Sequence, residues 1–245
     1  MDLLIVGAGE MGRWFARTMA ESASVTLADV DDATASEAAE EIGADTTPLT
    51  DDQRFDVVCF AVPMSVHEEA ITAHAFRGRQ AVLDVTGRMD GPLRAMAREA
   101  PERERASLHP LFSAENAPGN VAVVRDGTGP AIEAVLDCFS EAGNTLVETS
   151  ATEHDELMET VQAKAHAAIL AFALASDEAP EGFSTPVYEG LEGLVEQVTG
   201  GSPHVYAEIQ EAFDGASEVA EAARRIADAD GAEFERLYRE AGEQR

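Results

Sequence analysis

Residues 3–15 read LLIVGAGEMGRWF, and this stretch decides the fold. An apolar run ends where Gly7, Gly9 and Gly12 follow in the spacing G-x-G-x-x-G, and apolar residues then recur at helical spacing. A strand, a glycine turn and a helix in this order are typical of a dinucleotide-binding βαβ unit. The first glycine allows the tight turn, the second lets a pyrophosphate approach the backbone, and the third permits close packing of helix on strand. The stretch therefore predicts a cofactor site at the start of a doubly wound sheet.

Predicted strands and helices continue to alternate as far as about residue 150. The strands are continuously apolar, as in FDVVCFAVP (residues 55–63), which is typical of a parallel sheet covered on both faces. Beyond that point only helical patterns recur, beginning with one long predicted helix over residues 152–176 that Thr152 caps. We therefore predict an α/β fold in which an N-terminal Rossmann-type doubly wound parallel sheet (residues 1–150) is followed by an all-helical C-terminal domain (residues 151–245).

Asp29 ends the second predicted strand, near the distance from the glycine loop at which a carboxylate binds the ribose hydroxyls of NAD. Asp31 is a second candidate for the same role. The segment ADVDD (residues 28–32) has no arginine to pair with a 2′-phosphate, which favours NAD over NADP. The end of the third predicted strand should flank the cofactor from the other side. The predicted cofactor-binding residues are Gly7, Gly9, Glu10, Met11, Gly12, Asp29, Ala61, Val62 and Pro63.

The chain is strongly acidic, with 47 Asp and Glu residues against 17 Lys and Arg residues and a net charge of −30. Such a charge repels nucleic acids and anionic membranes, so neither is expected as a partner. Acid-rich surfaces with a single lysine, here Lys164, resemble those of proteins from halophilic archaea, in which dense salt screens the self-repulsion. The longest apolar stretch, residues 165–175, is too short to span a bilayer, and the two cysteines form no metal motif. We expect a soluble, cytoplasmic protein without a metal.

His109 ends the short apolar run RASLHP (residues 105–110) and is followed at once by Pro110. Thr86 ends the fourth predicted strand, so both residues are expected at the edge of the sheet that carries the glycine loop. A histidine suits general acid–base chemistry there, because its ordinary pKa lies near neutral pH. The alternative for any lone histidine is a packed, hydrogen-bonded core residue.

Several stretches resemble the prephenate dehydrogenase family in their order and spacing. They are GAGEMG, LDVTGRMDGPLRAM, LHPLF, TEHDELMETVQAKAH, STPVYEGLEGLVEQ and PHVYAEI. The resemblance implies an NAD-binding Rossmann domain and a helical domain through which two chains form a homodimer. It also implies NAD-dependent oxidative decarboxylation of prephenate to 4-hydroxyphenylpyruvate, the precursor of tyrosine.

The resemblance implies roles for individual residues as well. His109 matches the catalytic histidine, which accepts a hydrogen bond from the ring hydroxyl while hydride leaves the same carbon. Gln162 and His166 are placed near the substrate. His154, at the start of the same predicted helix, is open to either a structural or a functional interpretation.

Several positions depart from the family pattern, including Ser113, where the family has a glycine, and Glu189, where it has a further arginine. Gly87 stands where many members have a serine that contacts the substrate, and we expect the Thr86 hydroxyl to replace it. Gln197 stands where an arginine binds a substrate carboxylate, and Met89 stands where a nearby lysine is common. The cations that could compensate are Arg88, Lys164, Arg224 and Arg225. The predicted catalytic residues are His109 and Thr86, and the predicted substrate-binding residues are Gln162, His166, Gln197 and Arg88.

Two other functions stay open from the sequence. One is a related NAD(P)-dependent oxidoreductase of another small acid, arogenate included, which the departure at Gln197 leaves open. The other is a non-catalytic NAD-responsive regulator. A regulator would need a module that binds DNA or a partner, and we find no basic helix in a chain whose charge opposes DNA binding.

Overall fold

The computed structural model describes residues 1–177, 180 and 182–243 and divides the chain into two compact units, Met1–Asp155 and Glu156–Arg245. The boundary predicted at residue 150 lies inside the first unit. This unit contains one sheet of eight strands in the order β3-β2-β1-β4-β5-β6-β7-β8. The strands are β1 (Asp2–Val6), β2 (Ser24–Ala28), β3 (Asp45–Thr46), β4 (Phe55–Phe60), β5 (Gly78–Val85), β6 (Glu104–Pro110), β7 (Asn120–Arg125) and β8 (Thr145–Glu148).

The strand order reverses between β1 and β4, which lie side by side. In open α/β sheets, ligands bind at the carboxyl ends of the strands that flank such a switch point. The predicted Rossmann-type sheet is confirmed, with one difference: β7 pairs antiparallel with β6, whereas the other neighbouring strands pair in parallel. The reason is the connection, because residues 111–119 join β6 to β7 through a loop with one short 3-10 turn, whereas parallel strands need a longer crossover.

Helices cover both faces of the sheet. They are α1 (Glu10–Met19), α2 (Asp32–Ile42), α3 (His67–His74), α4 (Asp90–Glu99) and α5 (Pro130–Glu141). Alternate residues of β1 point to opposite faces, so Leu3 packs in one core with Phe139, and Leu4 packs in the other core with Ile71. This double burial explains why the strands are apolar throughout.

The regular elements that the structure describes from Ala151 onward are all helical, as predicted. The helices are α6 (Ala151–Met158), α7 (Ala165–Ala175), α8 (Pro186–Thr199), α9 (Pro203–Ala212), α10 (Gly215–Asp228) and α11 (Gly231–Glu243). A π-helical segment, Glu159–Lys164, lies between α6 and α7. The prediction that Thr152 caps the first helix is wrong. Ser150 does so, because its Oγ accepts a hydrogen bond from the Glu153 N–H at 3.2 Å.

Within the residues that the structure describes, no helix is both long and apolar enough to cross a membrane.

Candidate active site

The glycine-rich loop lies between β1 and α1. Gly7 has a φ of +103°, in the left-handed region, and a side chain there would collide with the carbonyl oxygen of Ala61. A side chain at Gly12 would collide with the carbonyl oxygen of Gly7, so α1 packs directly on the turn. A Cβ added at Gly9 would meet no atom within 4 Å. Open space before a helix N-terminus is where a pyrophosphate binds, so the loop fits a dinucleotide.

Asp29 follows β2 and is bound to the glycine loop. Its Oδ2 accepts a hydrogen bond from the Ala8 N–H at 2.7 Å, and its Oδ1 accepts one from the Asp31 N–H at 3.0 Å. The Asp31 carboxylate instead caps α2, where it accepts from the Ala33 N–H at 3.0 Å. The two candidates for the ribose acid thus differ in their contacts, because Asp29 lies against the loop and Asp31 begins a helix.

Arg13, on α1, is the nearest cation in sequence to the glycine loop. Its guanidinium pairs with Glu37 at 3.3 Å and with Glu41 at 3.0 Å, both on α2. A guanidinium held by two carboxylates is poorly placed to take a 2′-phosphate as well. This arrangement favours NAD over NADP.

The end of β4 flanks the loop, as expected from the strand order. The Ala61 N–H donates to the Val6 carbonyl at 2.8 Å, which joins the end of β4 to the end of β1. The Val62 side chain lies 3.2 Å from the position that a Cβ on Gly7 would take. Pro63 begins the turn that leads toward α3, where its carbonyl accepts from the Val66 N–H at 3.1 Å.

The side chains of Glu10 and Met11 make contacts outside the glycine-rich loop. The Glu10 Oε1 accepts a hydrogen bond from the Ala114 N–H at 2.9 Å, and so links the start of α1 to the loop after β6. Met11 packs against the core beneath α1. The role of these two residues toward the cofactor stays a prediction.

His109 lies in β6, one residue before the strand ends at Pro110, and only 8% of its surface is exposed. Its Nδ1 lies 2.9 Å from the Nε2 of His154, and the Nδ1 of His154 lies 2.9 Å from the Oδ1 of Asp155. Burial, with a smaller effect of His154, lowers the pKa of His109 to about 3, although Asp155 acts in the opposite direction. The imidazole is therefore neutral near physiological pH and can accept a hydrogen bond.

Asp84 and Thr86 lie at the end of β5, beside β6. Asp84 is completely buried, and this burial raises the pKa of its carboxyl group to about 8. The Thr86 Oγ1 lies 2.9 Å from the Asp84 Oδ2 and 2.7 Å from the carbonyl oxygen of Arg88. The Thr86 hydroxyl has one proton and can donate it to only one of these two oxygens. If it donates to the Arg88 carbonyl, the contact with Asp84 is a hydrogen bond only when a protonated Asp84 donates to Thr86.

The space beside His109 is bordered by Gly87 and Met64. A Cβ added on Gly87 would lie 3.8 Å from the His109 Nε2 and 3.2 Å from the Met64 sulfur. A serine at this position would reach the imidazole. The Thr86 hydroxyl, expected to replace that serine, is engaged between Asp84 and the Arg88 carbonyl.

Arg88 lies beside Asp155 in the first unit. Its Nε is 3.6 Å from the Asp155 Oδ2, and its side chain is 45% exposed. A half-exposed guanidinium held by one ion pair keeps further donors for a ligand carboxylate.

The second unit contains the other predicted substrate-binding residues. Gln162 lies in the π-helical segment, and His166 lies in the first turn of α7, where its ring packs edge-on against Tyr206 with 4.7 Å between centroids. The His166 Nδ1 is buried without a hydrogen-bond partner, and burial lowers the pKa of this ring. Gln197 is exposed on α8. Lys164 is held by Glu159 at 3.1 Å and by Glu218 at 2.7 Å, as in a helix-surface ion-pair network.

Sequence reasoning missed the partners of His109. The pattern HD at residues 154–155 was visible, but the contact with His109 joins residues 45 positions apart. Asp84 gave a stronger signal, because a lone carboxylate in an apolar strand is rare unless it has a specific role. In the part of the chain that the structure describes, no group of three or more His, Cys, Asp or Glu side chains is placed to hold a metal.

Comparison with known proteins identifies relatives of this chain. Residues 2–87 match the family described as NADP oxidoreductase coenzyme F420-dependent. The chain is 32% identical over 235 residues to a 4-amino-4-deoxyprephenate dehydrogenase of Streptomyces pristinaespiralis, covering 87% of this chain and 78% of that protein. It is 25% identical to a probable arogenate/prephenate dehydrogenase of Methanocaldococcus jannaschii, covering 84% of this chain but 50% of that protein.

A similar fold is found among solved structures. The prephenate dehydrogenase of Aquifex aeolicus, crystallised with hydroxyphenyl propionate and NAD+, superposes with a TM-score of 0.72 at 18% identity, over 100% of this chain and 93% of that chain. An arogenate dehydrogenase of Synechocystis superposes with a TM-score of 0.58 at 15% identity, over 100% of this chain and 98% of that chain.

Proposed function

Because the chain belongs to the prephenate dehydrogenase family and is therefore an NAD-dependent oxidoreductase, we propose that it catalyses oxidative decarboxylation of prephenate to 4-hydroxyphenylpyruvate. The observation that carries this proposal is His109, a buried and neutral imidazole at the end of β6 with its Nε2 toward Gly87. A neutral imidazole at that edge of the sheet is suited to accept a hydrogen bond from the ring hydroxyl of the substrate.

The reaction needs a hydrogen-bond acceptor for the ring hydroxyl, but it removes no proton overall. Hydride leaves C4 of the ring, the ring carboxylate departs as CO2, and the electron pair of the broken carbon–carbon bond completes the aromatic ring. The hydroxyl group keeps its proton and becomes the phenol of the product. His109 therefore acts by accepting a hydrogen bond from that hydroxyl as positive charge develops on C4. A pKa of about 3 leaves the imidazole unprotonated for this role over the whole neutral range.

The glycine loop and Asp29 would hold the dinucleotide. The open space at Gly9 and the N-terminus of α1 suit a pyrophosphate, and the position of Asp29 against the loop supports a role in binding the ribose hydroxyls. When bound, NAD+ supplies the acceptor for the hydride. The carboxylates at Asp29, Asp31 and Asp32 disfavour a 2′-phosphate, so NAD is the proposed cofactor.

Arg88 is the proposed partner of a prephenate carboxylate. The two arginines on α10 are engaged on the helix surface, Arg224 with Glu221 and Arg225 with Glu240, and Lys164 is held by two glutamates. Arg88 is half-exposed and lies within one residue of Gly87, which borders His109. This position suits it to take over a role that Gln197, as a neutral side chain, cannot perform.

A second candidate substrate is 4-amino-4-deoxyprephenate, in which an amino group replaces the ring hydroxyl. The similarity to the Streptomyces pristinaespiralis enzyme favours it, as does the absence of a hydroxyl-bearing side chain at Gly87. Its chemistry differs in one respect. A protonated amine must lose a proton before hydride can leave, whereas the hydroxyl of prephenate need not.

The two candidates are separated by steady-state kinetics and proton release. Prephenate, arogenate and 4-amino-4-deoxyprephenate would each be offered with NAD+ in concentrated KCl. We expect the highest kcat/KM with prephenate and no proton release into weakly buffered solution beyond the proton that hydration of CO2 to bicarbonate supplies. A higher kcat/KM with the amine, accompanied by about one further proton per NADH besides that from CO2, would assign the second candidate instead. Turnover restricted to arogenate would contradict both.

We further propose that the chain forms a homodimer through its second unit. In α7 no residue is buried, although the helix is almost entirely apolar, and Leu174 is 89% exposed. Phe183 and Val187 are 80% and 75% exposed. Apolar surface of this extent is unusual on a monomer and typical of an interface. Leu174→Asp should shift the mass measured by light scattering from dimer to monomer, whereas Val30→Asp, at a residue 93% exposed in the first unit, should not.

A further inference from the structure

We propose that His154 is a positioning residue, which together with Asp155 fixes His109 as the tautomer that carries its proton on Nδ1. The Nε2 of His109 is then the atom that accepts the hydrogen bond from the substrate. This inference rests on the proposed function for its catalytic meaning, but the tautomer itself can be measured without substrate. Two contacts of 2.9 Å carry it, His109 Nδ1 to His154 Nε2 and His154 Nδ1 to Asp155 Oδ1.

Asp155 is an acceptor at the end of this chain of contacts. Its Oδ1 accepts from the Met89 N–H at 3.0 Å, its Oδ2 accepts from the Asp90 N–H at 3.3 Å, and Arg88 lies 3.6 Å away. Partial burial would raise the pKa of Asp155, but its hydrogen bonds to His154 and to the two amides hold that pKa below the usual range. The carboxylate is therefore ionised near neutral pH and cannot donate.

The proton positions follow from this end of the chain. Since Asp155 only accepts, the Nδ1 of His154 must carry a proton. A neutral His154 then has its lone pair on Nε2, and the Nδ1 of His109 must donate to it. This leaves the lone pair of His109 on Nε2, the nitrogen that faces Gly87.

Burial of both imidazoles strengthens the contact between His109 and His154. His154 is 1% exposed and His109 is 8% exposed, so bulk water competes poorly for either imidazole. The two rings stand edge-on at 75°, with 5.1 Å between their centroids, which directs one nitrogen of each ring toward the other. The contact with His154 disfavours the other neutral tautomer of His109, which would present an N–H instead of a lone pair to the substrate.

Asp155 also has a purely structural task, because its contacts with Met89 and Asp90 cap α4, which has no side-chain cap of its own. Substitution of Asp155 would therefore mix two effects. His154 gives the cleaner test, because its two ring nitrogens contact His109 and Asp155, the other two members of this chain of contacts.

The direct experiment is long-range 1H–15N NMR of the histidine rings in the parent protein at mildly alkaline pH. The rings are assigned by comparison with His109→Asn and His154→Gln. We expect His109 to show a protonated Nδ1 and an unprotonated Nε2, and His154 to show a protonated Nδ1. A His109 protonated on Nε2, or an equal mixture of tautomers, would overturn the proposal whether or not the protein turns over prephenate.

Kinetics provide the second test. His154→Gln keeps an oxygen that can accept from the His109 Nδ1, whereas His154→Leu keeps volume but no acceptor. We expect His154→Leu to lower kcat by about 10- to 100-fold and His154→Gln to recover most of it, with NADH binding unchanged in both. His74→Leu, on α3 and outside the chain of contacts, is the control for loss of a histidine. Equal kcat values in the Leu and Gln variants would overturn the positioning role.

Discussion

Asp84→Asn should make the protein more stable, although it removes a charged residue type from the core strand β5. Asp84 has no exposed surface, and burial raises the pKa of its carboxyl group from 3.8 to about 8. At pH 7 the folded protein must therefore keep a proton on a carboxyl that the unfolded chain has released. Asparagine is neutral in both states, and its amide can donate to Thr86 as the protonated acid does.

The size of the effect follows from linkage between protonation and folding. A folded pKa above the unfolded value means that the stabilisation is complete below about pH 4 and is lost as the pH rises toward 8. The loss amounts to about 1.4 kcal/mol per pH unit, so the ionisable group costs about 4 kcal/mol at pH 7. Asp84→Asn should remove this pH-dependent loss of folding free energy, because asparagine does not ionise.

The assay is urea unfolding of parent and variant in concentrated KCl at several values between about pH 5 and pH 7.5. The difference in free energy of unfolding should grow in favour of the variant by about 1.4 kcal/mol per pH unit. Asp45→Asn, at an exposed carboxylate on the edge strand β3, is the control and should show no such slope. A difference that stays constant, or that falls with pH, would mean that Asp84 is ionised in the folded protein and that the hydrogen-bond assignment at Thr86 is wrong.

Three further predictions concern the site and the surface. His109→Asn should lower kcat by at least about 100-fold, whereas NADH binding, measured as the change in Trp14 fluorescence, should equal that of the parent. Parent-like turnover would remove His109 from the mechanism. Arg88→Gln should raise KM for prephenate by about 10-fold or more, with a smaller effect on kcat. Arg94→Gln is the control, because the Arg94 side chain is 70% exposed on α4, and it should leave both constants unchanged. Equal KM values in the two variants would refute the assignment of Arg88 to a prephenate carboxylate. Thermal stability should fall steeply as KCl is removed, because a net charge of −30 loses its screening; a melting temperature independent of salt would contradict a halophilic surface.

Local patterns predicted the features that depend on neighbouring residues. The positions of Gly7 and Gly12 were predictable because only glycine meets the φ requirement of the first and the close packing of the second. The buried strands were predictable because both faces of the sheet demand apolar side chains. The glycine that ends α2, Gly43 in the left-handed region, follows from the same kind of local rule.

Features that depend on contacts between distant residues were not predictable in this way. The antiparallel pairing of β7 depends on the short path between residues 110 and 120, which an apolar pattern does not encode. The contact of His109 with His154 depends on the three-dimensional packing of β6 near the start of α6. The roles of Asp29 and Asp31 could be separated only by their hydrogen bonds, since both follow the same strand.

The measurement that tests the central claim most directly is the stoichiometry of the reaction with the parent protein in concentrated KCl. Prephenate and NAD+ would be supplied together, and NADH, CO2 and 4-hydroxyphenylpyruvate quantified from the same sample. The account predicts that the three products form in equal amounts and that NADP+ replaces NAD+ poorly. NADH formed without CO2, or no NADH from prephenate while NAD+ still binds, would contradict it.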